Sequence, residues 1–240
     1  MPHLLATIAD QEIFQHDNGS FAFLAGLTID GDGSPCCYGP DNSGLDFTAN
    51  AGHPGNWYGI LTNDAGNPII QGANDPYPGM YISPTSLEHR EYSFTDPRRY
   101  LDSETISYVV CPGLLARKAK GAVLGCRVVV TNTRSDKTIH AVCGDIGPAT
   151  HLGEASMHVA TLLGIASSPR NGGTEEHIIR YTFHAGEAAE GYKLQSLGKS
   201  VAGLKRINKI NPLKFAHTDK RNVHRVNKLL FSNYSSSVDS

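Results

Sequence analysis

The sequence predicts a mainly β protein with one or more inserted helices. Glycine and proline occur 25 and 13 times in 240 residues, and so many turn formers are more typical of a barrel or sandwich than of a helical bundle. Short β-branched and apolar runs recur between these turns, as expected of strands. Before the C-terminal region, only residues 153–165 show a clear helical period.

Five apolar segments are predicted to form strands: residues 20–30, 106–113, 121–132, 138–144 and 176–186. The third and fourth flank the polar turn "TRSDK", which predicts a β-hairpin. The stretch from Gly31 to about Pro78 is dense in Gly, Asn, Asp and Pro, and predicts long loops around short strands such as "WYGIL".

The segment 153–165 changes the hydrophobic period from two to that of a helix. Ala155, Val159 and Leu162 recur at helical spacing, and Gly164 is a reasonable C-terminal stop. This prediction places Glu154 in the first turn of the helix.

Charge divides the chain into two parts. Residues 199–240 carry nine Lys and Arg against two acids, which leaves twelve basic and twenty-one acidic residues, a net charge of −9, in the rest of the chain. We therefore expect a globular domain over residues 1–198 and a basic extension over 199–240, whose pattern predicts a helical appendage. An acidic body favours cationic ligands and argues against nucleic acid as a partner.

Several classes of site find no support in the sequence. No segment approaches the roughly 20 apolar residues of a membrane-spanning helix, and the N-terminus does not read as a signal peptide. No P-loop, G-x-S-x-G or zinc-ligand spacing is present. We expect no cofactor, no metal and no membrane partner. The cysteines are predicted to be buried or idle thiols; they are Cys36, Cys37, Cys111, Cys126 and Cys143.

The stretch "HAVCGDIGPATHLGEAS", residues 140–156, places two acids around a Gly-Pro turn between an apolar strand and an apolar helix. Asp145 is either a turn former or a carboxylate presented at the lip of a sheet. Glu154 either complements the helix dipole, an effect of about 0.3–1 kcal/mol, or takes part in chemistry. Two acids at one such turn suit glycosidic bond cleavage, in which one protonates the leaving oxygen and the other activates water.

A second acidic cluster lies in "TIDGDGSPCCYGPDNSGLD" and offers Asp30, Asp32, Asp41 and Asp46. The EF-hand pattern fails here, because its sixth position is a proline and its twelfth is not Glu. These acids are predicted to be wall residues of a sugar-binding cleft or simple turn formers. Trp57 and Tyr58 are candidates for stacking on a sugar, although a lone Trp is as often a core residue.

The run from Gly125 to Ile165 resembles the fungal-type chitosanases of glycoside hydrolase family 75. The resemblance depends on a strand-turn-strand that leads into G-D-x-G-P, followed by G-E-A-S before L-G-I. "LTIDGDG" and "YLDSETISYVVCPG" support it, and it covers about residues 21–186. By analogy with other wall-polysaccharide enzymes, it implies a β-barrel that resembles the double-psi type.

The resemblance implies an endo-acting, inverting enzyme that cleaves β-1,4 bonds between glucosamine units of chitosan in an extracellular setting. Asp145 and Glu154 are then the catalytic pair, with Glu154 as general acid and Asp145 as base. The other residues predicted to bind the polysaccharide are Asp30, Asp32, Asp46, Trp57, Tyr58 and His184.

The chain departs from the family's pattern in "TFHAG", where a strand ending in Phe-Pro-Gly is expected, and in its basic C-terminal extension. Two alternatives therefore stay open. One is a hydrolase of peptidoglycan or another amino-sugar polymer, and the other is a non-catalytic barrel that binds polysaccharide.

Overall fold

The computed structural model describes residues 1–197, which form ten strands and two short α-helices. The extension over residues 199–240, predicted to be helical, lies outside the described residues. The strands are β1 (His3–Ile8), β2 (Gln11–Gln15), β3 (Ser20–Asp30), β4 (Gly52–His53), β5 (Asn56–Trp57), β6 (Tyr108–Pro112), β7 (Cys126–Asn132), β8 (Lys137–Gly147), β9 (Glu154–Ser156) and β10 (Thr174–Ala188). The helices are α1 (Gly113–Lys118) and α2 (Met157–Leu163), and 3₁₀ turns occur at Pro40–Asn42, Thr48–Ala51 and Pro97–Arg99.

Six of these strands close into a barrel in the order β3, β10, β7, β8, β6, β9 and back to β3. The β3–β9 and β6–β8 pairs are parallel, and the other four pairs of the ring are antiparallel. The β1–β2 hairpin is joined to the ring through β3. The predicted fold class, mainly β with inserted helices and a barrel, is confirmed.

The main hydrophobic core joins the strands of this ring to the β1–β2 hairpin and to both helices. On β3, every second residue from Phe21 to Ile29 is buried, as a half-buried strand requires. Phe21 stacks on Phe183 of β10 with ring centroids 5.0 Å apart, and Phe23 stacks on Tyr181 at 5.2 Å. These aromatic pairs hold β3 against β10.

Most predicted strands are present, with small changes at their ends. β3 has the predicted bounds, and β7 and β8 form the predicted hairpin. β8 continues three residues beyond the predicted end, to Gly147, so Asp145 lies within the strand and not after it. The strand predicted over residues 106–113 is shorter, because α1 begins at Gly113.

The helix predicted over residues 153–165 is wrong at its start. It begins at Met157, because the backbone of β9 (Glu154–Ser156) pairs with β3 on one side and with β6 on the other. Pairing with two strands outweighs the local helical period. The side chain of Ser156 then caps α2 by accepting a bond from the Val159 amide at 3.3 Å, and Gly164 ends the helix in a left-handed conformation.

The β1–β2 hairpin is absent from the sequence predictions. Its turn places Ala9 and Asp10 at φ of 48° and 61°, both in the left-handed region. Tight hairpin turns of this kind usually contain Asn-Gly or Asp-Gly, so "AD" gives little signal.

All five cysteines are free thiols, and four of them are buried while Cys36 is half-buried. The prediction of buried thiols is thus confirmed for every cysteine except Cys36. Among the described residues, neither helix is long or apolar enough to cross a membrane.

We expect alkylation of the native protein to be slow and confined to Cys36. Burial raises the pKa of this thiol from 9.0 to about 11, Ser34 opposes the shift, and Glu104 adds to it. Because the thiolate is the reactive form, the rate at pH 8 should be about a hundredfold below that of an ordinary thiol of pKa 9.0. The rate should then rise about tenfold per pH unit until the pH approaches 11. Iodoacetamide labelling with peptide mass spectrometry measures this.

Glu104→Gln removes one cause of the shift and should accelerate labelling without abolishing the effect of burial. Fast labelling of Cys36 at pH 8, or labelling of a buried cysteine before unfolding, would contradict this account.

Candidate active site

The buried charged side chains of the described residues are all acidic. They are Asp30, Asp32, Asp46, Asp145 and Glu154, each at most 7% exposed, and no Lys or Arg in this part of the chain is buried. Burying a carboxylate is costly unless its surroundings stabilise it, so several in one region mark a candidate functional site.

Asp145 and Glu154 lie in one row across three neighbouring strands. Val110 of β6 is opposite Asp145 of β8 on one side and opposite Glu154 of β9 on the other. Residues opposite one another in a ladder present their side chains to the same face. Adjacent strands are about 4.8 Å apart, so the two acidic residues are separated by roughly 9–10 Å at Cα.

This row lies on the opposite face of the strands from Ile29, Val109 and Ala155, because side chains alternate along a strand. Val110, the middle residue of the row, is itself buried in the hydrophobic core. Thr28 of β3 is opposite Glu154, and Asp30 is opposite Ser156 one step further along the same face. The barrel wall therefore presents Asp30, Glu154 and Asp145 together.

Two glycines, Gly147 at the end of β8 and Gly153 just before β9, allow Glu154 to occupy its position. A Cβ at Gly147 would lie 2.8 Å from Cγ1 of Val110 and 3.2 Å from Oε2 of Glu154, so the missing side chain leaves space for the carboxylate. Gly153 has a φ of +82°, and a Cβ there would lie 2.5 Å from the Gly26 carbonyl oxygen. Only glycine fits at this point, where the chain turns into β9.

Three donors converge on one oxygen of Asp145. Oδ1 accepts hydrogen bonds from the backbone amide of Ser86 at 3.1 Å, from the backbone amide of the next residue, Ile146, at 2.7 Å, and from the Ser86 hydroxyl. Donors of this kind stabilise negative charge on the oxygen that accepts them. They also fix the plane of the carboxylate.

Asp32 is held by hydroxyl groups. Its Oδ1 accepts from the phenol of Tyr38 at 2.9 Å and from Ser83 at 3.2 Å, while the phenol of Tyr108 donates to its backbone carbonyl at 2.7 Å. Burial, and after it the charge of Asp32, raises the pKa of Tyr38. Burial, and then the charges of Asp30 and Asp32, raises the pKa of Tyr108. Both phenols therefore stay neutral and act as donors.

Asp30, Asp32 and Asp145 each place a carboxylate oxygen within 4.8 Å of the others. Oxygen ligands of this type suit a hard cation such as Ca²⁺ or Mg²⁺. Oδ1 of Asp32 and Oδ1 of Asp145 already accept two and three hydrogen bonds, so a cation would have to approach their other oxygens.

Asp46 lies on a loop next to this cluster. Burial raises the pKa of the nearby Cys37 thiol. The negative charges of Asp32, Asp46 and Asp30 raise it further, which shows that the thiol lies among these three acids. Oδ1 of Asp46 accepts from the Phe47 amide at 2.7 Å and from the Asn50 side chain at 2.8 Å.

The loop that carries Asp46 is fastened by Arg170. Its guanidinium donates to the carbonyls of Asn42, Gly44 and Leu45 and lies 4.6 Å from the ring centroid of Phe47. This ties the loop to the segment that precedes β10.

Trp57 and Tyr58 also lie beside the acidic cluster. Trp57 is half-buried and packs on a small core that contains Tyr38. A Cβ at Gly59, which follows the pair, would lie 3.0 Å from Oδ1 of Asp32. The indole nitrogen of Trp57 is buried and has no hydrogen-bond partner among the described residues.

His184 is not brought to this site. It lies opposite Ser20, at the other end of β3 from Asp30, and ten residues of strand span roughly 33 Å. Its charged neighbours are Arg127 and Glu187. The pKa of His184 is lowered, mainly by burial and then by the positive charge of Arg127.

Sequence reasoning missed the residues that hold the acids. Ser83 and Ser86 lie in "SPTS", and Tyr38 follows the cysteine pair. A hydroxyl in a loop has many uses, so only its spatial contact with Asp32 or Asp145 reveals its role. The sequence matches no model of a known protein family and none of the curated proteins.

We expect Gly153→Ala to destabilise the fold more than Gly66→Ala. Both glycines have positive φ, +82° and +81°, but Gly66 has open space around it while a Cβ at Gly153 would meet the Gly26 carbonyl and Ala25. The strained conformation alone should cost about 1–2 kcal/mol in either variant. The steric overlap at Gly153 should add about 1–3 kcal/mol.

Urea unfolding followed by far-ultraviolet circular dichroism gives the free energy of unfolding for both variants. Equal losses would mean that β9 can shift away from β3 at no cost, contrary to the packing described above.

Proposed function

We propose that this protein is an inverting glycoside hydrolase that cleaves β-1,4 bonds of an amino-sugar polymer, with chitosan as its substrate. The observation that carries the proposal is the row across β8, β6 and β9, which holds two buried carboxylates on one face with Val110 between them. Together with the G-D-x-G-P and G-E-A-S motifs that resemble family 75 chitosanases, this pair has the equipment for acid–base cleavage.

The surroundings of the two acids support different roles for them. Asp145 receives three donors at Oδ1, which hold the carboxylate in one orientation, as suits a group that takes a proton from water. Glu154 lies in a strand, so no dipole of its own helix favours its ionised form. Its carboxylate is buried against Gly147 and near Val110, a setting that suits a general acid.

Inversion depends on the distance between the two carboxyl groups. Inverting enzymes hold them about 6.5–9.5 Å apart to admit a water, whereas retaining enzymes hold them about 5–5.5 Å apart. The Cα atoms of Asp145 and Glu154 are two strand spacings apart, roughly 9–10 Å, and Oε2 of Glu154 lies 3.2 Å from the position that a Cβ would take on Gly147 of β8. The proposal takes inversion from the resemblance to the family 75 enzymes.

The charge of the site supports a cationic polymer. Asp30, Asp32 and Asp46 add three buried acids beside the pair, and the part of the chain before residue 199 has a net charge of −9. Protonated glucosamine would be attracted by such a field, and an uncharged or anionic sugar would not. Trp57, which packs beside Tyr38, is the candidate for stacking on a sugar ring, and Tyr58 follows it immediately before Gly59, which lies beside Asp32.

The fold is also compatible with a double-psi barrel. Its six-stranded ring contains two parallel pairs among antiparallel ones, and both parallel pairs, β3–β9 and β6–β8, adjoin the candidate site. We assign the barrel to that type as part of the proposal.

We expect Asp145→Asn and Glu154→Gln to lower the rate of reducing-sugar release from highly deacetylated chitosan by roughly 10²–10⁴-fold each, because each removes one proton-transfer group. Asp136→Asn is a matched control: it removes one exposed acid at the far end of β8 and should leave the rate nearly unchanged. Circular dichroism checks that all variants are folded. Proton NMR of the first product should show the α-anomer, as inversion of a β-linkage requires.

Other outcomes would redirect the proposal. Release from peptidoglycan but not from chitosan would keep the acidic pair and change the polymer. Binding of chitosan without any turnover would favour a non-catalytic barrel. Full activity in both folded variants would show that these two acids have only structural roles.

A further inference from the structure

We infer that Ser86 is a positioning residue for Asp145, and that its hydroxyl sets the orientation in which this carboxylate activates water. The inference rests on the proposed function for its catalytic consequence. The hydrogen bond between the side chains of Ser86 and Asp145 is present whatever the function.

The Ser86 hydroxyl has a fixed direction. Its oxygen accepts a bond from the Ile146 amide at 3.3 Å, and its proton is donated to Oδ1 of Asp145. The hydroxyl thus bridges the strand backbone and the carboxylate next to it. An oxygen that accepts from one group and donates to the other has little freedom to rotate.

The backbone around Ser86 is fastened to the barrel wall. The amide of Leu87 donates to the Gly144 carbonyl of β8 at 2.9 Å, and the amide of Ser86 itself donates to Oδ1 of Asp145 at 3.1 Å. Thr85 bonds to the Leu87 carbonyl through its hydroxyl and accepts from the Leu101 amide. These bonds tie the segment 83–87 to β8 and to Leu101.

This support fixes the orientation of the Asp145 carboxylate. Two of the three donors to Oδ1, a hydroxyl and an amide, come from Ser86, and the third is the Ile146 amide. The Ser86 hydroxyl is the side-chain donor among these three, so it can be removed while the backbone donors stay in place. Ser86 is half-buried and its neighbours are buried, which leaves its side chain at the margin of the site.

Ser86→Ala isolates the hydroxyl, because both backbone donors to Oδ1 remain. We expect kcat on chitosan to fall roughly 10- to 100-fold, as for the loss of a hydrogen bond to a charged group, with KM changed by less than about threefold. Ser86→Thr keeps the hydroxyl and should restore most of kcat. Ser93→Ala is the matched control, since Ser93 is exposed and its side chain has no bond to the acids.

A second readout is independent of turnover. The carboxyl-carbon NMR resonance of Asp145, assigned through its disappearance in Asp145→Asn, should move in Ser86→Ala and return towards the wild-type position in Ser86→Thr. A resonance that does not move overturns the inference, whether or not hydrolysis is detected. A kcat that is unchanged in Ser86→Ala, or that falls equally in Ser86→Thr, overturns its catalytic part.

The two proposals fail in different ways. A wild-type protein that cleaves none of the polymers removes the glycosidase proposal and the catalytic part of this one, while the NMR comparison still decides the contact. An active wild type with an unaffected Ser86→Ala variant removes only the role of Ser86.

Discussion

Closure of the barrel depends on three residues, Glu154–Ser156. They pair in parallel with β3 and in antiparallel fashion with β6, and within residues 1–197 no other strand pairs directly with both. The same residues supply the buried carboxylate of Glu154, the core side chain of Ala155 and the cap of α2 from Ser156. The pairing that closes the barrel therefore also positions Glu154. Gly153 makes this pairing possible, because a side chain at that position would collide with Gly26.

Five buried carboxylates make the site costly to assemble. Each must be stabilised by fixed dipoles or partners, since a charge without them would be neutralised or would destabilise the fold. For Asp145 and Asp32 the supports include hydroxyls and an amide from the segment 83–87, so this segment holds one acid of β8 and one acid of the loop that follows β3. Such dipoles need not reorganise when charge moves, which is the general basis of electrostatic catalysis.

Strand positions were predictable where alternation is long. β3, β7, β8 and β10 leave a clear period-two pattern, and the acids Asp145 and Glu154 stand out by their glycine neighbours. β9 could not be predicted, because a strand of three residues is too short to show a hydrophobic period. The helical period of α2, which follows directly, extends over the same residues. The supports from Ser83 and Ser86 could not be predicted either, since they act across about 50–60 residues of sequence. His184 was expected near the site only through the resemblance of "TFHAG", and the register of β10 places it at the other end of the barrel.

The row through Val110 has a consequence for how such a site can diverge. The positions of Asp145 and Glu154 are set by two strand ladders, and residues 150–152 take no part in those ladders. Insertions or deletions at residues 150–152 would leave in place the ladders, the Pro148 and Ala149 carbonyls that accept from the start of α1, and Gly153. Related sites can therefore be sought by ladder partners on a central strand as well as by the nine-residue interval in "GDIGPATHLGE".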